Sequence, residues 1–276
     1  MKYTKLTLVI AVLFAMASCG KKGCTDPMSL AYNSEATKDN GSCTYPANEK
    51  RALVFNATAT WCAYCGGWGA DYVNNIGDDF PGSAEVITLH SSDQFSVDIS
   101  DYLLAQINPS GVPSFYLGLE DMGNAGYSNV SSLITSELIS TNNISMALSY
   151  STEAGVMNVK VQSQLENQFT GDNCYLAIYI MEDGQVATQN VMGVDDPNYV
   201  HNNILRTEAN GLAFGTPITF TDGKNLTEVN ANLAPATIWT HENLYALAVI
   251  WHNNGGSYEF VNLLIKLLNF ITPRIL

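Results

Sequence analysis

Two hydrophobic periodicities divide the chain. Between about residues 50 and 141, short apolar runs alternate with stretches whose apolar residues recur every three to four positions. Residues 52–57 are a compact apolar run of the length of a buried strand, and 85–90 and 114–117 are two more. Helical patterns fall between and after them: from Cys65 towards Phe80, over 99–107, where Leu103, Leu104 and Ile107 share a face, and over 128–139. Strands alternating with helices predict an α/β sheet. From residue 144 the period becomes two. Ile144, Met146, Leu148 and Tyr150 alternate with polar residues, as do Leu176, Ile178 and Ile180. Asp183-Gly184 reads as a hairpin turn, and Asp222-Gly223 and Asn254-Gly255-Gly256 read as further turns. Short strands at that spacing predict a β-sandwich. The expectation is therefore an α/β domain over 49–141 followed by an all-β sandwich-like domain over 142–276. Ahead of both, residues 20–48 are polar and turn-rich with little periodicity.

The first residues change the picture of where the protein works. Met1-Lys2-Tyr3-Thr4-Lys5 precedes an apolar run, Leu6 to Ala15, that is too short to cross a membrane and has the form of a secretory signal over residues 1–18. The following Met16-Ala17-Ser18-Cys19 resembles the lipobox of bacterial lipoproteins, with Met16 where Leu is usual. That resemblance implies an acylated Cys19, whose several acyl chains supply stable membrane anchoring. Export permits disulfides. The segment from Gly23 to Tyr45 resembles a short cysteine-bracketed module of Bacteroidota surface proteins, which implies a structural disulfide between Cys24 and Cys43. Within it Asp26, Asn33, Asp39 and Asn40 offer hard oxygens of the kind calcium takes; the other reading is a stapled spacer between membrane and domain. No cofactor beyond that calcium possibility is expected. A net charge of −14 argues against nucleic acid as a partner.

The candidate chemistry sits at Trp61-Cys62-Ala63-Tyr64-Cys65, directly after the first strand of the α/β region. Strand, Trp-Cys-x-x-Cys, helix and then Gly111-Val112-Pro113 resemble the thioredoxin superfamily over roughly a third of the chain. The resemblance implies that Cys62 and Cys65 are the redox pair and that Pro113 is a cis-proline facing them. Two departures stand out: no proline lies between the cysteines, and Gly66-Gly67 weakens the first turn of the helix. The larger arrangement resembles a Bacteroidota outer-membrane lipoprotein family of about twenty-eight kilodaltons. Its members join a thioredoxin-like domain to a C-terminal β-rich domain, and the stretch from Tyr199 to Arg206 looks like its marker.

The spacing has a physical reason. A helix N-terminus stabilises a thiolate at Cys62, which attacks a protein disulfide, and Cys65 one turn later resolves the mixed disulfide. Trp61, Tyr64 and Val112 would line the substrate groove beside Pro113, with Trp68 as either platform or core. A structural disulfide, a half zinc site and an idle scaffold remain alternatives. No Lys or Arg occurs between Ala52 and Val159, so only the helix end and a distant Arg206 are left to favour the thiolate, and the pair is expected to be reducing or weakly oxidising. His201 and Arg206 could line a ligand site, although a His in so polar a stretch is expected to be solvated. Cys174 reads as a small buried residue. The apolar run 261–271 reads as a last strand entering a tail. Together these give an envelope thiol–disulfide oxidoreductase acting on protein thiols or disulfides, outer-membrane anchored and periplasm-facing. The other function class is a surface binding or adhesion lipoprotein that uses the fold as a scaffold. Oligomeric state is left open.

Overall fold

The structure is a computed structural model that describes residues 20–233 and 239–265. The expected signal, Cys19 and the apolar tail beyond residue 265 lie outside the described residues. The chain divides after Tyr45 into two compact units, close to the expected boundary at 48/49. The small unit carries two parallel two-residue strands, β1 (Lys22–Gly23) and β2 (Lys38–Asp39). Among its described residues only Gly23, Cys24 and Ser29 are buried, and these form no hydrophobic core.

The second unit begins with β3 (Ala52–Thr58), a wide helical turn over Cys65–Gly69, α1 (Ala70–Asp79) and β4 (Ala84–His90). It continues with α2 (Asp98–Ile107), β5 (Ser114–Leu117), β6 (Glu120–Asp121) and α3 (Tyr127–Leu138). All but β6, which the sequence pattern did not predict, follow their expected positions within a residue or two. α2 carries Asp98 and Asp101 in its first turn, where the helix dipole favours them, and ends at Asn108 in the left-handed conformation. After residue 143 strands follow one another: β7 (Ile144–Glu153), β8 (Val156–Leu165), β9 (Cys174–Glu182), β10 (Gln185–Val191) and β11 (Val194–His201). The last are β12 (Ile204–Glu208), β13 (Thr216–Pro217), β14 (Lys224–Asn232), β15 (Leu244–Asn254) and β16 (Ser257–Ile265). The fold is mixed α/β, with most of its ordered residues in sheets.

The sheet does not stop where the sequence pattern changes near residue 141. Nine strands form one sheet in the order β16-β15-β9-β12-β4-β3-β5-β6, with β13 beside β9. The joint is β12, antiparallel to β9 and parallel to β4, where Ile204 pairs with Thr88 and the Thr88 N–H donates to the Asn203 carbonyl at 2.8 Å. The two expected domains therefore share a sheet and belong to one compact unit from Pro46 onward. Alternation along the strands explains the layers. Leu53 and Phe55 of β3, Tyr179 of β9 and Trp251 of β15 share one core with Leu103 and Ile107 of α2, and that core runs across the joint. On the opposite face, Val54, Val86 and Phe115 meet Ile76, Val130 and Ile134 of α1 and α3. Farther along, Leu176, Ile178 and Ile250 meet Met146, Val159 and Val161 of a three-stranded antiparallel sheet, β14-β8-β7. Burial on both faces makes β9 and β15 near-continuous apolar runs: between Leu176, Ile178 and Ile180 stand buried Ala177 and Tyr179, not the polar residues that a half-exposed strand was expected to show.

Two of the three expected turns behave as expected. Asn254-Gly255-Gly256 joins paired β15 and β16, and Asp222-Gly223 turns between bridged Thr221 and Lys224. Asp183-Gly184 does not make a hairpin: β9 stays in the large sheet while β10 leaves it to pair with β11 alone. Gly184 has φ 73°, so the sequence signal was real, but it redirects the chain out of the sheet.

Candidate functional site

β3 is buried along its whole length, which fixes where the chain leaves the sheet. Ala59 and Thr60 then turn into Cys62, and Cys65 opens the wide turn that runs into α1. Cys62 and Cys65 form a disulfide. Both are nearly buried, at 6% and 5% exposure. The Cys65 backbone N–H points at Cys62 Sγ from 3.1 Å, and the Val112 carbonyl oxygen lies 3.5 Å from the same sulfur. In the reduced state an N–H so placed favours a thiolate at Cys62. The Val112–Pro113 peptide is cis. The Pro113 ring lies against Gly69, where a Cβ would come within 2.9 Å of it. The structure thus brings Cys62, Cys65, Val112 and Pro113 together.

Trp61 and Tyr64 stand beside the pair, 57% and 58% exposed, and the Trp61 indole N–H donates to the Ser91 carbonyl at 3.2 Å. Trp68 is half-buried against Tyr72 and Phe115. These three rings, with Val112, Pro113 and Gly126, line a cavity of about 440 Å³. Trp68 is therefore both core and cavity wall.

The part that sequence reasoning missed is the β10–β11 hairpin. Its Asn190 N–H donates to the Thr60 carbonyl at 2.8 Å, and its Met192 N–H donates to the Ala63 carbonyl at 2.9 Å. The Gln189 side-chain amide donates to the carbonyls of Ala59 (3.3 Å), Cys62 (3.1 Å) and Asn190 (3.0 Å). The signal that could have found this contact is Gly66-Gly67. A Cβ on Gly66 would meet the Asn190 carbonyl oxygen at 2.5 Å, and one on Gly67 would meet Met192 Sδ at 2.5 Å. The two glycines leave room for the hairpin. Gly67 also departs from helical geometry, with φ −99° and ψ −115°, so the first turn is wide as well as weak.

Charge around the motif is held in buried pairs. The Asp93 carboxylate accepts the Thr60 N–H at 2.8 Å and faces His90 Nδ1 at 2.7 Å. Burial pushes this carboxyl up, but the bond to His90 and the N–H groups of Thr60 and Phe95 outweigh it and hold it below the usual range. His201 is not solvated as expected; it is 5% exposed, with its ring near those of His90, Phe95 and Tyr199. Burial, reinforced by His90, pushes its imidazole down to about 4, so it is neutral at pH 7. Arg206 donates from Nε to Glu182 at 2.5 Å and lies over the Phe95 ring, with both partners of the pair buried. Its charge is committed to Glu182. The marker stretch therefore builds the joint of the sheet. Cys174 is buried, and burial with Asp172 nearby pushes its thiol up to about 11.

In the small unit Cys24 and Cys43 form a disulfide. The oxygens considered for calcium each close a local turn: Asp26 accepts the Met28 N–H, Asn33 that of Glu35, Asp39 that of Gly41 and Asn40 that of Ser42. Among the described residues no group of three or more His, Cys, Asp or Glu is arranged to hold a metal ion.

Among solved structures, HBP35 of Porphyromonas gingivalis is similar with a TM-score of 0.70 at 16% identity, covering 84% of this chain and 79% of that one. That likeness speaks to fold alone. A domain of the outer membrane lipoprotein Omp28 from Porphyromonas gingivalis matches with a TM-score of 0.33 at 15% identity, covering 46% of this chain and 88% of that one. No curated protein matches in sequence. The sequence profile described as outer membrane protein Omp28 matches residues 100–263, more than half of the chain, and begins beyond the Cys-x-x-Cys. On that match the chain belongs to the Omp28 outer membrane protein family.

Proposed function

We propose that the chain is a thiol–disulfide oxidoreductase of thioredoxin type, lipid-anchored in the outer membrane and acting on protein disulfides or thiols. The observation that carries the reading is the bridged Cys62–Cys65 pair with the Cys65 N–H on Cys62 Sγ. The order β3-α1-β4-α2-β5-β6-α3, with β3 parallel to β4 and antiparallel to β5, supports the thioredoxin-like assignment. In the reducing direction the Cys62 thiolate attacks one sulfur of a substrate disulfide. A mixed disulfide forms and the first substrate thiolate leaves and takes a proton. Cys65, deprotonated, then attacks Cys62 Sγ and releases the second thiolate. Two electrons pass to the substrate and the Cys62–Cys65 bridge re-forms; the oxidising direction is the reverse. Trp61, Tyr64 and Val112 wall the groove, and Pro113, having no N–H, leaves the strand edge beside it open to an extended segment.

Insulin-disulfide reduction by the wild-type chain, absent in Cys62→Ser, is the expected result; equal rates in both would refute the reading. The outer-membrane family and the lipobox-like Cys19 support anchoring, and Gly20-Lys21-Lys22 in place of an acidic run supports a periplasmic face. Palmitate labelling that survives Cys19→Ser would rule out that anchor, and protease shaving of intact cells that removes the chain would rule out that face. A second reading, a surface binding or adhesion lipoprotein, is favoured by the exposed Val186, Met192, Val194 and Val200 of the hairpin. Ligand binding by cells that survives Cys62→Ser would support it.

A further inference from the structure

We propose that Gln189 is a positioning residue of the redox pair, holding the Cys62 carbonyl so that the Cys65 N–H is left for Cys62 Sγ. This rests on the oxidoreductase reading. Gln189 is 3% exposed, and its amide nitrogen has three carbonyl oxygens around it, those of Ala59, Cys62 and Asn190. Only the N–H end of an amide can face three acceptors, so the side-chain orientation is fixed by its surroundings.

The Cys62 carbonyl is crowded with donors. It accepts the Cys65 N–H at 3.2 Å, the Gly66 N–H at 3.4 Å and the Gln189 amide at 3.1 Å. The Cys65 N–H is divided between that oxygen and Cys62 Sγ, at 3.2 and 3.1 Å. A carbonyl oxygen has two lone pairs. With Gln189 on one and Gly66 on the other, the oxygen draws less on the Cys65 N–H, and the sulfur draws more. The same amide brings the positive end of a dipole to a motif with no Lys or Arg between Ala52 and Val159 and with Arg206 committed to Glu182. Gln189 reaches the motif because Asn190 and Met192 bond the backbone of Thr60 and Ala63 and because Gly66 and Gly67 leave room. The hairpin is thus part of the redox site although it lies far from it in sequence.

The test uses Gln189→Met, which keeps the length of the side chain and removes its donor. In the reduced chain the pH at which Cys62 becomes reactive to iodoacetamide should move upward, and alkylation at pH 7 should slow by about threefold or more. A residue that served only packing would lower the melting temperature and leave that pH profile in place. An unchanged profile in a folded Gln189→Met overturns the inference and leaves the oxidoreductase reading standing. A wild-type pair that cannot be reversibly reduced overturns the reading itself. If Gln189→Met does not fold, the wild-type chain still decides: the Gln189 side-chain amide proton resonances should titrate together with Cys62 in the reduced protein. Resonances that ignore the Cys62 titration overturn the inference.

Discussion

Cys24–Cys43 and Cys62–Cys65 are the same bond in different surroundings. The first closes a separation of 19 residues in a unit whose described residues include almost nothing buried. The second closes a separation of 3, between a fully buried strand and a hairpin that grips the motif through four hydrogen bonds. A crosslink stabilises mainly by restricting the unfolded chain, and more so for a longer loop; a loop near fifteen residues is worth about 3 kcal/mol. The Cys24–Cys43 bridge therefore does structural work that no core shares. The Cys62–Cys65 bridge constrains a stretch already fixed from both sides, so its opening is expected to cost the fold little. A disulfide that the fold does not depend on is one that chemistry can use.

The largest expected effect would break this contrast most cleanly. Cys62→Ser should abolish disulfide reduction while shifting the unfolding midpoint little; activity that persists would make the pair a bystander. Next comes the double change Cys24→Ser with Cys43→Ser, which should loosen residues 20–45 by about 3 kcal/mol. Limited proteolysis should then cut within that segment while insulin reduction stays at the wild-type rate. Loss of activity here would mean that the two bridges are coupled. The last effect, confined to acid pH, lies at the buried His201. The folded state holds His201 down to about 4, below the unfolded value near 6.5, so the unfolded chain binds the proton first as pH falls. Its contribution is whole above pH 6.5 and is lost as pH drops towards 4, by up to about 3 kcal/mol. Urea melts across that range should show the loss in the wild type and its absence in His201→Phe. A variant whose melts keep the full pH dependence would contradict the assignment to His201.

How far the sequence revealed this depends on whether a feature has a local cause. The strands and helices between Ala52 and Leu138 carry their own periods, and the pair Cys62 and Cys65 carries its own spacing, so both were legible. The joint at β12 was not, because pairing of Ile204 with Thr88 leaves no periodic mark in either segment. His201 looked solvated, and Arg206 looked free to act on the cysteine pair, for the same reason: their partners His90, Phe95 and Glu182 come from β4, the loop after it and the end of β9. Gln189 sits in a strand with weak alternation and was invisible by pattern. Gly66-Gly67 was visible but was read as a weak helix start, when it is clearance for the hairpin.

The most direct test of the central claim is the reduction potential of the Cys62–Cys65 pair, read by thiol trapping of the full chain in graded glutathione buffers. The account predicts a reversible couple between roughly −120 and −270 mV, with Cys24–Cys43 still closed where Cys62–Cys65 has opened. A Cys62–Cys65 pair that stays oxidised below about −300 mV would contradict it and mark that bridge as structural too.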